Sequence, residues 1–144
     1  MDTYNAVAEG KVSKSAAKLF VSGIFAGAFI AFGALCSQIA GADTSLRVAQ
    51  AAVFPIGLVM VVLVGAELFT GNNLIIVSVL TGDVKVSAML KNWCIVYLGN
   101  FVGSVFIALL TNLSGQTGLF GGALLETTMK IATAKASLDF GKRS

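Results

Sequence analysis

"VGAELFTGNN", residues 64–73, sets a carboxylate, a threonine, a glycine and two asparagines in the middle of an otherwise apolar stretch. That stretch runs from Val48 to Gly82, 35 residues in which Glu67 is the only charge. Two more uncharged runs flank it, Leu19 to Ala42 with 24 residues and Asn92 to Leu125 with 34. About 20 apolar residues suffice for a helix to cross the hydrocarbon core, so the sequence describes an all-α integral membrane protein. Composition agrees, since 12% of residues are charged where a soluble domain carries about 25%. The middle run is too long for one straight crossing: as helix, Val48 to Ala66 spans about 28 Å and Leu74 to Gly82 a further 14 Å or so. Between them, Gly71, Asn72 and Asn73 favour non-helical backbone, and Thr70 competes for local hydrogen bonds. Unwound backbone at membrane depth survives only when buried in protein or lining an aqueous cavity. Interrupted spans of this kind point to a substrate path. The polar cluster is therefore expected to break the second span and form part of a pore.

The flanking segments set the orientation. "MDTYNAVAEGKVSKSAAK", residues 1–18, has Val12, Ala16 and Leu19 at helical spacing, with Lys11, Lys14 and Lys18 largely on other faces. It reads as an amphipathic helix on the membrane surface. A cleavable signal peptide fits poorly, because the first apolar run is too long and two further spans follow. Lysines in this tail and in the 81–91 loop place both in the cytoplasm by the positive-inside rule. The expected organisation is thus a surface helix at 1–18, a three-span repeat at 19–114 with its second span broken over 48–82, and an extracytoplasmic segment at 115–144. That outer segment contains Lys130, Lys135, Lys142 and Arg143 against Glu126 and Asp139, which runs against the rule. An excess of outer positive charge gathers anions. "LLETTMKIATAKASLDF", residues 124–140, reads as an amphipathic helix, not as a fourth span. Gly23 with Gly27, and Gly99 with Gly103, form GxxxG pairs that let helices approach closely in lipid.

Single residues narrow the chemistry further. A carboxylate such as Glu67 inside a membrane marks an ion path or a proton relay, or it caps a loop by accepting backbone N–H groups. The cap is preferred here, because a carboxylate on the path repels an anion. The chain has no histidine. Cys36 and Cys94 lie in apolar runs without neighbouring ligands and read as packing residues. No catalytic arrangement, metal set or cofactor motif emerges. The basic pI of about 9.0 reflects lysines that flank membrane segments, and nothing points to nucleic acid.

At this point the residues resemble a known family. "VLVGAELFTGN", Val62 to Asn72, is similar to the signature of the formate/nitrite transporter family: an aliphatic pair, Gly, a small residue, an acid, Leu-Phe-Thr and a small residue. "KNWCIVYLGNFVGS", Lys91 to Ser104, resembles the start of that family's third span, with its Trp, Tyr and Gly-Asn. "KIATAKASLDF", residues 130–140, resembles the approach to the fourth. The resemblance implies a homopentamer of aquaporin-like subunits, each with its own pore and with six spans in two inverted repeats. On that pattern Phe54, Leu58, Leu68, Phe69 and Thr70 line the pore's apolar constrictions and the chamber between them. Glu67, Gly71, Asn72 and Asn73 shape the loop, and Lys135 attracts the anion at the outer vestibule. The implied cargo is a small monovalent anion, formate, nitrite or hydrosulfide, crossing the cytoplasmic membrane. Narrow apolar rings exclude hydrated ions, and Thr70 is the one hydroxyl in the quintet able to replace a lost water.

Three other functions compete with this one. An aquaporin-like channel for neutral solutes would use paired Asn-Pro-Ala breaks, but the only proline is Pro55. A heme- or quinone-holding membrane anchor lacks histidine ligands. A bare scaffold subunit explains the GxxxG faces and leaves "ELFTGNN" without a purpose. Against the family pattern, the second repeat and the family's central pore histidine are missing from this sequence. The expectation is a fragment whose second half comes from the same protein or from a partner chain.

Overall fold

The apolar runs become helices, one long helix in the first and third and several short ones in the second, because in lipid a helix satisfies its own backbone hydrogen bonds. The computed structural model describes residues 2–44, 47–116, 118 and 122–137. Asp139, Lys142 and Arg143 lie outside the described residues. In chain order the helices are α1 (Asp2–Ser13), α2 (Ala16–Thr44), α3 (Arg47–Val53), α4 (Pro55–Val64), α5 (Phe69–Asn72), α6 (Ile75–Leu80), α7 (Val86–Leu113) and α8 (Ala123–Ala136). Among the described residues, three stretches are long and apolar enough to cross a membrane: Ala16–Asp43, Arg47–Val64 and Val86–Leu113. Phe69–Leu80 is a shorter apolar helix beyond the break. The fold is an all-α membrane bundle.

The two GxxxG pairs face each other. Gly23 lies against Gly99, where an added Cβ would come 3.3 Å from the Gly99 Cα. A Cβ on Gly99 would stand 2.7 Å from the Phe20 carbonyl, and one on Gly103 would come 2.8 Å from the Ala28 nitrogen. A Cβ on Gly27 would strike the Asn100 carbonyl. Side-chain-free contact therefore draws α2 and α7 together, with van der Waals packing taking the place of a hydrophobic drive. A further close approach, not anticipated from the sequence, joins α2 to α4. There Gly33 meets Gly57, and a Cβ on Gly57 would lie 2.6 Å from the Phe29 carbonyl.

The break opens at Gly65, ahead of the glycine and asparagines of "TGNN", and of these Asn73 lies in the turn between α5 and α6. Gly65, with φ of 66°, ends α4 in the left-handed conformation. Its N–H donates to Val62 O at 3.1 Å, and the Ala66 N–H donates to Val61 O at 2.9 Å. This is a Schellman cap, which demands a residue at ease in that conformation. Residues 66–68 are non-helical, and Thr70, Gly71 and Asn72 already belong to α5. A further interruption separates α3 from α4, because Pro55 has no N–H to continue the ladder.

The N-terminal helix also departs from expectation. It ends at Ser13, and Ser15 starts α2 with its hydroxyl 3.4 Å from the Lys18 N–H. Val12 and Leu19 therefore stand on different helices. Ala8 is buried with Ile75, Val84 and Met89, and Val12 and Trp93 pack around this cluster. One face of α1 is thus seated on α6 and α7. At the other end of the chain, α8 is tied to α2 where the Thr128 hydroxyl donates to Gln38 Oε1 at 2.7 Å.

Two glycine substitutions should have opposite signs. Gly103→Ala forces α2 and α7 apart and is expected to cost about 1–3 kcal/mol. Gly10→Ala meets nothing within 4 Å and fills a helix interior, so it should hold or raise stability by up to about 1 kcal/mol. Denaturation of the purified protein in detergent micelles reads both; equal losses would contradict the packing described.

Candidate functional site

A broken helix leaves backbone donors and acceptors that lipid cannot satisfy. At residues 65–69 side chains from the neighbouring spans take that role. The Glu67 N–H donates to Ser22 Oγ at 3.0 Å. The Glu67 carbonyl accepts from Asn100 Nδ2 at 3.0 Å, and the Phe69 N–H donates to Asn100 Oδ1 at 3.0 Å. Trp93 Nε1 donates to the Asn72 carbonyl at 2.9 Å, just beyond. Among the described residues, no buried side-chain nitrogen or oxygen lacks a partner.

The Glu67 side chain is 2% exposed and lies between two ammonium groups. Lys11 Nζ stands 2.8 Å from Oε2 and Lys14 Nζ 2.5 Å from Oε1. Lys11 also donates to Asn72 Oδ1 at 2.7 Å. Asn72 Nδ2 donates to Asn92 Oδ1 at 2.8 Å, and Asn92 Nδ2 returns to the Lys11 carbonyl at 3.2 Å. The carboxylate was expected to cap backbone N–H groups. Its partners are instead lysines reaching in from α1 and from the link to α2. Charge-assisted bonds from ammonium groups outweigh neutral ones, and an unpaired carboxylate buried here would cost several kcal/mol. Two lysines against one carboxylate leave this side of the break with a net positive charge.

The five residues assigned to the pore divide among three clefts. Leu58 and Leu68 line one of about 510 Å³, together with Lys11, Lys14 and Glu67. Phe69 and Thr70 line another of about 260 Å³ on the α7 side, with Tyr97 and Asn100. Phe54 borders a third of about 520 Å³, next to Arg47 and Gln50. Phe69 is held edge-on by Tyr97 and Trp93, with ring centroids 5.4 and 6.1 Å apart. Thr70, Gly71 and Asn73 are exposed, whereas Asn72 is fully buried.

Lys135 is exposed in the last turn of α8. Its neighbour Lys130 pairs with Glu126 at 2.7 Å, and that bond holds the Glu126 carboxyl below the usual carboxylate range. Among the described residues, no group of three His, Cys, Asp or Glu could hold a metal. The residues that reasoning from sequence missed are Lys11, Lys14, Ser22, Asn92 and Asn100. Their signal was polarity beside or within apolar runs and, for Asn100, its place in a Gly-Asn pair, neither of which gives a partner.

The formate/nitrite transporter family profile matches residues 1–143. The chain is 39% identical over 127 residues to the formate channel FocA of Haemophilus influenzae, a match covering 81% of this chain and 45% of that one. It is 34% identical over 139 residues to the formate channel BtFdhC of Bacillus thuringiensis, covering 92% and 53%. The nitrite transporter NirC of Salmonella typhimurium is 37% identical over 132 residues, covering 85% and 48%. The chain spans about half the length of these relatives. With the signature loop, the facing glycine pairs and a match over nearly its whole length, the chain belongs to the formate/nitrite transporter family.

Proposed function

We propose that this chain forms part of a channel for a small monovalent anion, formate or nitrite first and hydrosulfide third, in the cytoplasmic membrane with its N-terminus inside. Relatives named formate channel and nitrite transporter support the cargo class. The observation that carries the reading is the neutralised break. Glu67 at 2% exposure is bonded to two lysines, so the loop offers an anion no bare negative charge. Beside it stand Leu58 and Leu68, an apolar constriction that strips water from an ion.

In this reading Phe54, Leu58 and Leu68 form the narrow apolar rings, and the Thr70 hydroxyl replaces a lost water hydrogen bond. Lys11 and Lys14 on one side, and Lys135 on the other, raise the local anion concentration. A second three-span half, from the same protein or a partner chain, closes the pore, and five such units assemble. The second span supports this, since only 11% of its apolar window is buried among the described residues. Lipid and the missing half are the surfaces it would meet.

Stopped-flow light scattering on proteoliposomes containing the intact assembly tests the proposal, with formate, nitrite, hydrosulfide, chloride and glycerol in parallel. Fast flux of one or more weak-acid anions is expected. Thr70→Ala should slow it by about fivefold, the worth of one hydrogen bond of about 1 kcal/mol. Flux of glycerol alone points to a neutral-solute channel, and none from an intact assembly points to a scaffold; either result overturns the anion reading.

A further inference from the structure

Leu68 is the one residue of the break whose peptide groups are pinned on both sides by a single side chain. Asn100 Nδ2 donates to the Glu67 carbonyl and Asn100 Oδ1 accepts from the Phe69 N–H, both at 3.0 Å. The carboxamide acts as a short piece of partner strand, and Leu68 between the two bonds is extended, with φ of −102° and ψ of 130°. The remaining Nδ2 hydrogen goes to the Gly23 carbonyl at 2.9 Å. Both amide hydrogens and the oxygen are thereby engaged, so the amide has one orientation and no freedom to flip.

The amide's own position is fixed by the helix pair that carries it. A Cβ on Gly27 would strike the Asn100 backbone carbonyl, and one on Gly23 would lie 3.4 Å from Asn100 Nδ2. The glycine contact between α2 and α7 thus sets how far Asn100 reaches, and Asn100 sets where Leu68 stands. Leu58 lines the same cleft as Leu68. We propose that Asn100 is a positioning residue that fixes the width of the Leu58–Leu68 constriction and so sets the size cutoff for the permeating anion. This rests on the channel reading above and deepens it: Leu68 excludes, and Asn100 decides by how much.

The test measures a ratio of formate to propionate flux through the intact assembly, because a ratio is independent of how many channels are active. Asn100→Ala frees the loop and should lower the ratio by about tenfold, the discrimination that a methylene's worth of fit supplies. Asn100→Gln keeps both donors and the acceptor on a longer arm. It should push Leu68 towards Leu58, slow both anions and raise the ratio. Thr128→Val removes the α8 bond to Gln38 without touching the loop or the glycine contact between α2 and α7, so it should leave the ratio unchanged.

Amide hydrogen exchange over residues 65–72 supplies a second readout that does not depend on flux. It should be faster in Asn100→Ala than in the wild-type protein or Thr128→Val. A ratio identical to wild type in both Asn100 variants overturns the proposal, as does unchanged exchange in Asn100→Ala. Should the wild-type assembly pass no anion, the channel reading fails. The exchange data then still decide whether Asn100 holds the loop.

Discussion

A carboxylate buried at 2% exposure and bonded to two lysines is the interaction on which the rest of this chain depends. Without a counter-charge, Glu67 could not stay ionised inside an apolar bundle. Supplying that charge requires α1 to turn back onto the membrane domain, because both lysines precede the first span. The small apolar cluster of Ala8, Ile75, Val84 and Met89 is what seats α1 there. Asn72 and Asn92 extend the polar chain from the carboxylate to α7. Loop, terminal helix and third span are therefore one hydrogen-bonded unit.

The spans were legible because hydropathy over long uncharged runs answers a single question, whether a segment can leave water. The GxxxG pairs were legible as small-residue faces, and the structure mates them with each other. The position of the break was only partly legible. "TGNN" has the stronger loop composition, yet Gly65 opens the break because the end of α4 needs a left-handed residue where its ladder stops. Gly71 and Asn72 then fit a helical turn, Asn72 being used for its side chain and not for its backbone freedom. Sequence also named Glu67 as a loop stabiliser without naming its partners. Lys11 and Lys14 lie 56 and 53 positions away in the chain, and local patterning cannot pair residues at that separation. Asn100 was visible only as half of a Gly-Asn pair; its bonds on both sides of Leu68 are a tertiary fact.

Under the proposed function, such a costly arrangement has a purpose in a member of the formate/nitrite transporter family. A conducting path needs apolar rings to exclude hydrated ions, and side chains at the rings need an irregular backbone to present them. That backbone then needs buried polar partners. Here the partners are held by close helix contacts at Gly23, Gly27 and Gly99, so packing between α2 and α7 is transmitted to the loop. The clefts lined by Leu58 with Leu68, by Thr70 and by Phe54 are separate within this chain. Under the proposed function they become one route when a second three-span half covers the exposed side of the second span.

The most direct test of the central claim is a mutant cycle between Glu67 and its lysines, read by denaturation of the purified protein in detergent. Lys11→Met with Lys14→Met strands a buried carboxylate and should cost about 3–5 kcal/mol. Adding Glu67→Gln to that variant should recover most of the loss, because the charge that needed the lysines is gone. Losses that simply add, to within about 0.5 kcal/mol, would contradict the account and show that the loop stands without the ion pair.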